Sequence, residues 1–296
     1  MYYIVYGFFY LVSLLPFPVM YFISSSIAFL LHRIFGYRKE VVMSNIAIAF
    51  PEKSLAERNA IAKQFYINFT DTFMEMLKAL SMSKAEFDKR GHAVNFDAIN
   101  NIISSGRNTY LVGGHLFNWE YANLVLSRHV NIAPIGVYGK IENKAFDKLF
   151  YKLRSRFGTR LIESRDFKSM LGEITKSQYC MFLLADQNPS PHNAVWMNFF
   201  GRAAPFIPGP HKAAIKNSAA LVFINFIKVK RGHYSFDAEI IIDNASDYTV
   251  EELIKKYRDF IESIVRRQPD NYLWSHRRWK YDFKEFEKTG AVLVKN

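Results

Sequence analysis

"TYLVGGHLFNWE", residues 109–120, decides the fold. A short apolar run ends in two glycines, and a histidine then stands five positions ahead of a glutamate. An apolar run of this length closed by glycines reads as a buried strand ending at Val112. Asn118 has the side chain of a helix N-cap, so a helix starts near Trp119 with Glu120 in its first turn. Strand, loop and helix follow one another within twelve residues, and the same rhythm continues downstream. "NIAPIGVYG" (131–139), "TRLIE" (159–163) and "QYCMFLLA" (178–185) read as strands, with "NKAFDKLFYKLRSRFG" (143–158) and "FKSMLGEITK" (167–176) as the helices between them. "VWMNFFG" (195–201), "AALVFINFIKVK" (219–230) and "HYSFDAEIII" (233–242) add strands, "GPHKAAIKNS" (209–218) a helix, and 249–269 a last amphipathic helix. Strands alternating with helices over short connections indicate an α/β domain, a mostly parallel central sheet flanked by helices.

Upstream, "RKEVVMSNIAIAF" (38–50) has helical periodicity and stops at Pro51. The next segment, 54–80, opens with Ser54 and Glu57 in capping-box spacing. Its Leu55, Ile61, Phe65, Phe69, Phe73, Met76 and Leu80 fall mostly on one face, which predicts a core stripe. No repeat, low-complexity tract or long linker interrupts the chain, so residues 36–296 read as one catalytic-sized domain.

Residues 1–35 differ. No charged residue occurs between Met1 and Leu31, a run longer than the ~20 residues that span a bilayer. No basic residue precedes the run and no small-x-small site ends it, which separates it from a signal peptide. "PFP" at 16–18 breaks a helix there. One kinked membrane span, two short helices in the membrane surface and a buried hairpin all remain open. The reading adopted is a helical membrane anchor. His32, Arg33, Arg38 and Lys39 follow it and place the rest of the chain on the cytoplasmic side.

Composition narrows the partners. The chain carries 39 Lys and Arg against 27 Asp and Glu, a net charge of +12, which calls for an anionic partner. With 27 Phe and 17 Tyr it suits either contact with lipid or a Phe-rich core. The single cysteine, Cys180, sits in an apolar strand and excludes an internal disulfide. No HExxH or CxxC motif and no ligand-spaced acid cluster suggests a metal, and neither GxGxxG nor GxxxxGK[ST] suggests a nucleotide cofactor.

Two histidines stand five residues before an acid, His115–Glu120 and His92–Asp97, where chance placement predicts roughly one. Positions i and i+5 of a regular helix point apart, so a working pair needs its histidine outside the helix. His115 has that setting, in the loop beyond a strand's carboxyl end where open α/β sheets bind ligands. His92 lies in the polar stretch "SKAEFDKRGHAVNFDAI" and has none. A neutral imidazole with pKa ~6.5 takes a proton from a hydroxyl at neutral pH, and a carboxylate fixes its tautomer. No serine or cysteine adjoins His115, so the attacking group is the acceptor's own hydroxyl and no acyl-enzyme forms. The plain alternative is a core histidine at a strand end.

Further candidates lie downstream. Arg154, Arg156, Arg160 and Arg165 suit phosphate, or a solvated helix face. Asp186 and Gln187 end a buried strand, as site residues or as a cap. "YLWSHRRWK" (272–280) interleaves aromatics with Arg277, Arg278 and Lys280, suited to lipid headgroups or phosphate. Stacking on nucleic acid is disfavoured by the apolar leader and the lack of any binding motif.

Taken in order, the leader with "LPFP", "GYRKEVVMSNIAIAFPEKSLAER", "GGHLFNWE", "RSRFGTRLIESRD", "ADQNPS", "FFGRAAPFIPGP" and "YLWSHRRWK" resemble the late acyltransferases of lipid A biosynthesis. These are the lauroyl/myristoyl transferases of the wider glycerolipid and lysophospholipid acyltransferase superfamily. The resemblance covers nearly the whole chain. It implies a glycerolipid-acyltransferase-like fold and a bacterial inner-membrane enzyme that takes a fatty acyl chain from acyl carrier protein, with coenzyme A as the alternative thioester and no cofactor. It maps the catalytic pair onto His115 and Glu120. The family's arginine motif falls on Arg154 or Arg156 and on Arg165, and its strand-end acid on Asp186. Asn118, Gln187, Arg277 and Arg278 complete the expected substrate-binding set, with a phosphorylated lipid A precursor as acceptor. Asn188 stands where some relatives carry a second acid, which leaves the acceptor open, since relatives also acylate mannosylated inositol lipids and amino-acid lipids. The competing readings are an acyltransferase on another lipid and a non-catalytic protein that binds anionic membranes.

Overall fold

The computed structural model of the protein describes residues 2–294. Helices α1 (Tyr2–Leu14) and α2 (Phe17–Phe29) open the chain. They part at Pro16, which precedes α2 with extended backbone, and Pro18 sits in the first turn of α2, where its missing N–H costs no bond. The second helix runs on through a wider π-helical turn, Leu30–Ile34. Helices α3 (Lys39–Ala49), α4 (Leu55–Lys78) and α5 (Lys84–Asp88) precede β1 (Gly91–Val94), α6 (Phe96–Ser104) and β2 (Thr109–Gly113). The alternating region follows: α7 (Trp119–His129), β3 (Pro134–Tyr138), α8 (Lys144–Arg154), β4 (Arg160–Glu163), α9 (Phe167–Ile174) and β5 (Cys180–Leu184). Then come β6 (Val195–Phe199), β7 (Arg202–Phe206), α10 (Gly209–Lys216), β8 (Ala220–Lys230), β9 (His233–Ile242), α11 (Val250–Arg267), α12 (Phe283–Glu287) and β10 (Leu293–Val294).

The expected α/β architecture is present. A seven-stranded sheet has the order β1-β9-β8-β2-β5-β3-β4, and its five strands from β8 to β4 run parallel. Within this sheet, among the described residues, β8 and β9 alone pair antiparallel. Strand β2 and the first seven residues of β8, Ala220 to Phe226, are buried and apolar apart from Thr109 and Asn225, because helices cover both faces. One face carries α7, which touches β1 and β3, and the other carries α10 and α11.

Three local expectations change. "VWMNF" is a strand, β6, but it belongs to a separate three-stranded sheet in the order β10-β6-β7. Phe200 and Gly201 take positive φ, turn the chain back at once, and pair β6 with β7 as a hairpin, so no crossover returns it to the large sheet. The stretch around His92 contains strand β1, whose pairing is with β9 at the sheet's edge, and His92 and Asp97 are both exposed. On α4 the Ser54–Glu57 capping box forms, yet Leu55 is 67% and Phe73 36% exposed while Asn68, Asp71, Thr72 and Glu75 are buried. Packing between α2 and the sheet, which periodicity does not record, chose that polar face.

Candidate active site

Parallel register builds the centre. Gly113 of β2 lies level with Leu184 of β5. Two residues further on, His115 and Asp186 leave neighbouring strand ends at the same height. His115 Nδ1 is 2.7 Å from Asp186 Oδ1. With the carboxylate accepting, the ring donates from Nδ1 and keeps Nε2 free of that contact. Asp186 is 2% exposed. Burial pushes its pKa up, but the charge and hydrogen bond of His115 outweigh burial and hold the carboxylate below its ordinary range. Close approach requires the glycines: a Cβ on Gly114 would stand 2.8 Å from Ile261 Cδ1 and 3.5 Å from the Asp186 carboxyl carbon.

The sequence pairs His115 with Glu120, and the structure pairs it with Asp186 instead. Asn118 caps α7 as expected, accepting from the N–H groups of Glu120 and Tyr121 at 3.0 and 3.1 Å. Glu120 in the first turn is directed to the end of α8, where Arg154 Nε and Nη2 donate to its two oxygens at 3.0 and 2.6 Å. Burial works against the charge on Arg154, and Glu120 overrides it and raises the pKa. Trp119 stands against the His115 ring at 5.6 Å between centroids and donates to Glu120 at 3.3 Å. Histidine and glutamate thus flank one indole, each with its own partner.

Beside them opens a cavity of about 740 Å3, lined by His115, Trp119, Glu120 and Arg154 and then by apolar groups including Val137, Phe167, Leu171, Met181, Leu183, Ile207 and Ala213. Its shape follows from the sheet. Strands β3 and β5 pair only as far as Gly136 and Phe182, while β3 stays with β4 to Tyr138 and β5 with β2 to Leu184. The two strands therefore part at their carboxyl ends. Lining residues come from both faces, Asn123 of α7 on one side and Ala213 of α10 on the other, so the cavity passes between the parted strands. It reaches Tyr110 near the start of β2, about 10 Å back from the strand's end at Gly113 at ~3.3 Å per residue.

The other expected residues scatter. Arg154 lines the cavity, Arg156 donates to the Met82 carbonyl at 2.5 Å away from it, and Arg165 is exposed on the loop between β4 and α9. Gln187 is half-buried and Arg277 exposed. Arg278 does not face a headgroup: it is 1% exposed, donates to Asn188 Oδ1 at 2.7 Å and the Pro205 carbonyl at 2.9 Å, and lies over the rings of Phe206 and Phe199. It ties the loop after β5 to β7 and to the 272–280 segment. His276, unmarked by the sequence reading, adjoins this centre; its Nε2 accepts from the Asn188 N–H at 3.3 Å, and burial pushes its pKa down to about 4. Lys168 and Ser164 at the cavity were also missed. Neither carried a local signal, because only the splayed strands bring them there.

Known proteins share this organisation in sequence. The lipid A biosynthesis lauroyltransferase of Escherichia coli (strain K12) is 24% identical over 283 residues, 93% of this chain and 89% of that protein. The lipid A biosynthesis palmitoleoyltransferase of the same organism is 22% identical over 273 residues, 90% of this chain and 86% of that one. Its lipid A biosynthesis myristoyltransferase is 20% identical over 234 residues, 78% and 71% of the two chains. The profile of the bacterial lipid A biosynthesis acyltransferases matches residues 1–281, and the chain therefore belongs to that family and is an acyltransferase.

Proposed function

We propose that this enzyme moves a fatty acyl chain from the thioester of acyl carrier protein to a hydroxyl of a lipid A precursor in one direct step. The observation that carries the reading is His115, fixed by Asp186 at the mouth of an apolar cavity that reaches back along β2 to Tyr110. The acyl chain lies in the cavity with its thioester carbonyl beside Nε2 of His115. The acceptor hydroxyl attacks that carbonyl carbon as its proton passes to Nε2, and Asp186 stabilises the imidazolium. The tetrahedral intermediate collapses, the carbon–sulfur bond breaks, and the proton moves from the imidazolium to the leaving thiolate. Glu120 holds Arg154 at the cavity, where the guanidinium and Lys168 supply positive charge for phosphate or for the developing oxyanion. The relatives are named for lauroyl, palmitoleoyl and myristoyl transfer, which agrees with a cavity built for a long chain. The net charge of +12 agrees with an acidic carrier protein as donor and a phosphorylated acceptor.

The same proposal places the enzyme on the cytoplasmic surface of the inner membrane. The described residues contain one helix long and apolar enough to cross a bilayer, Phe17–Ile34. Its outer side, with Phe22, Phe29, Leu30 and Ile34, and that of α1, with Tyr3, Ile4, Phe8 and Leu11, are exposed. Arg33 and Lys39 are exposed at the end of this surface. His115→Ala tests the chemistry: transfer from acyl carrier protein falls by about 10^3-fold or more. A variant keeping a tenth of wild-type turnover would exclude His115 as the base.

A further inference from the structure

Four polar side chains on one side of α4, Asn68, Asp71, Thr72 and Glu75, are at most 1% exposed. A buried carboxylate is tolerated only where its acceptor positions are filled. Asp71 is filled by Ser24 and by Nε and Nη2 of Arg231. Glu75 is filled from three different elements. Its Oε1 accepts from the Tyr21 hydroxyl of α2 at 3.0 Å. Its Oε2 accepts from the Tyr234 hydroxyl of β9 at 2.8 Å and from Asn118 Nδ2 at 3.0 Å. Tyr121 of α7 donates to its backbone carbonyl at 3.3 Å.

The bond to Asn118 bears on the site. An N-cap asparagine needs only its oxygen, and its amide can present either end. Glu75 Oε2 accepts here, so it takes the NH2 end of Asn118 and turns the oxygen onto the first N–H groups of α7. That cap sets where α7 begins. Helix α7 begins with Trp119, against the His115 ring, and Glu120, which grips Arg154 at the cavity.

We propose that Glu75 is a positioning residue for acyl transfer: through Asn118 it fixes the start of α7 against His115, and through Tyr21 it joins that arrangement to helix α2. The role rests on the acyl-transfer reading of His115. Burial and the neighbouring Asp71 raise the pKa of Glu75 to about 7, an expensive setting of the kind found at functional sites.

Steady-state kinetics on the full chain, with the lauroyl thioester of acyl carrier protein and a phosphorylated lipid A precursor, test it. Wild-type turnover is measured first, and its absence overturns the reaction and this role together. Glu75→Gln sets an amide NH2 among the groups that donate to Glu75, and Asn118→Ser keeps a capping oxygen but has no amide for Glu75. Each is expected to lower kcat about tenfold with KM for the donor within about twofold, and the double variant to be no worse than the poorer single one. A folded Glu75→Gln enzyme, judged by its thermal midpoint, with kcat within about twofold of wild type overturns the role. Losses that multiply in the double variant overturn it as well, since the two residues then act independently. If Glu75→Gln does not fold, Asn118→Ser is decisive alone, and wild-type kcat in that variant overturns the role.

Discussion

Asp186 and Glu120 are both buried carboxylates beside His115 and its neighbour Trp119 respectively, yet they hold different partners, and their substitutions separate accordingly. Asp186→Asn keeps the volume but offers Nδ1 no carboxylate, so the imidazole loses both its tautomer and its charge support, and kcat is expected to fall about 10^3-fold. Glu120→Gln leaves His115 paired and costs Arg154 one charged acceptor, with an expected loss of about 10- to 100-fold. Single-turnover rates of the two variants decide the point. Equal losses would return Glu120 to the role of histidine's partner. His115 and Asn118 were legible because a strand, two glycines and a cap mark their setting locally. The bond between His115 and Asp186 was not, because the two are 71 residues apart and meet only through the register of β2 and β5.

At the scale of elements, α2 is two-sided. Tyr21, Ser24 and Ser25 hydrogen-bond Glu75, Thr70, Asp71 and Arg231, while Phe22, Phe29 and Ile34 point outward. Under the proposed membrane association, this helix would lie in the membrane surface with its polar side on the rest of the protein. Replacing Phe8, Phe22 and Phe29 together by Ser is expected to weaken binding to vesicles of anionic phospholipid at least tenfold, since each exposed Phe can bury about 1.5–3 kcal/mol of apolar surface. Vesicle co-sedimentation checks this, and unchanged binding would assign the exposed rings another role. The apolar composition of residues 1–35 was plain in the sequence. The side that faces the protein was hidden, since serine and tyrosine count as neutral in an apolar run until their partners on α4 are known.

For the whole molecule, buried titrating groups oppose one another. Burial, then Asp71, raises Glu75 to about 7 from 4.5, against the pull of the Tyr234 and Asn118 hydrogen bonds and of Lys228. Arg231, Tyr21 and Tyr121 face the same group. The folded protein thus keeps a proton that the unfolded chain releases, and the stability this gives is full below pH 4.5 and lost as pH rises through 7, roughly 3 kcal/mol. His211, which burial lowers to about 4 from 6.5, has the other sign and costs stability as pH falls through that range. Only the Glu75 contribution is removed by Glu75→Gln. The thermal midpoint of the wild type relative to that variant is therefore expected to fall between pH 5 and 8, and a constant difference would show that Glu75 does not titrate in the folded state. By itself the sequence determined the α/β alternation, the apolar leader, the histidine in its strand-to-helix turn and the family, because each is written in short-range pattern or in ordered motifs. The tertiary structure decided which carboxylate hydrogen-bonds that histidine, where the cavity passes through the sheet and which face of α4 is polar. Those depend on strand order, on where paired strands separate and on contacts between distant segments, and a one-dimensional pattern encodes none of them.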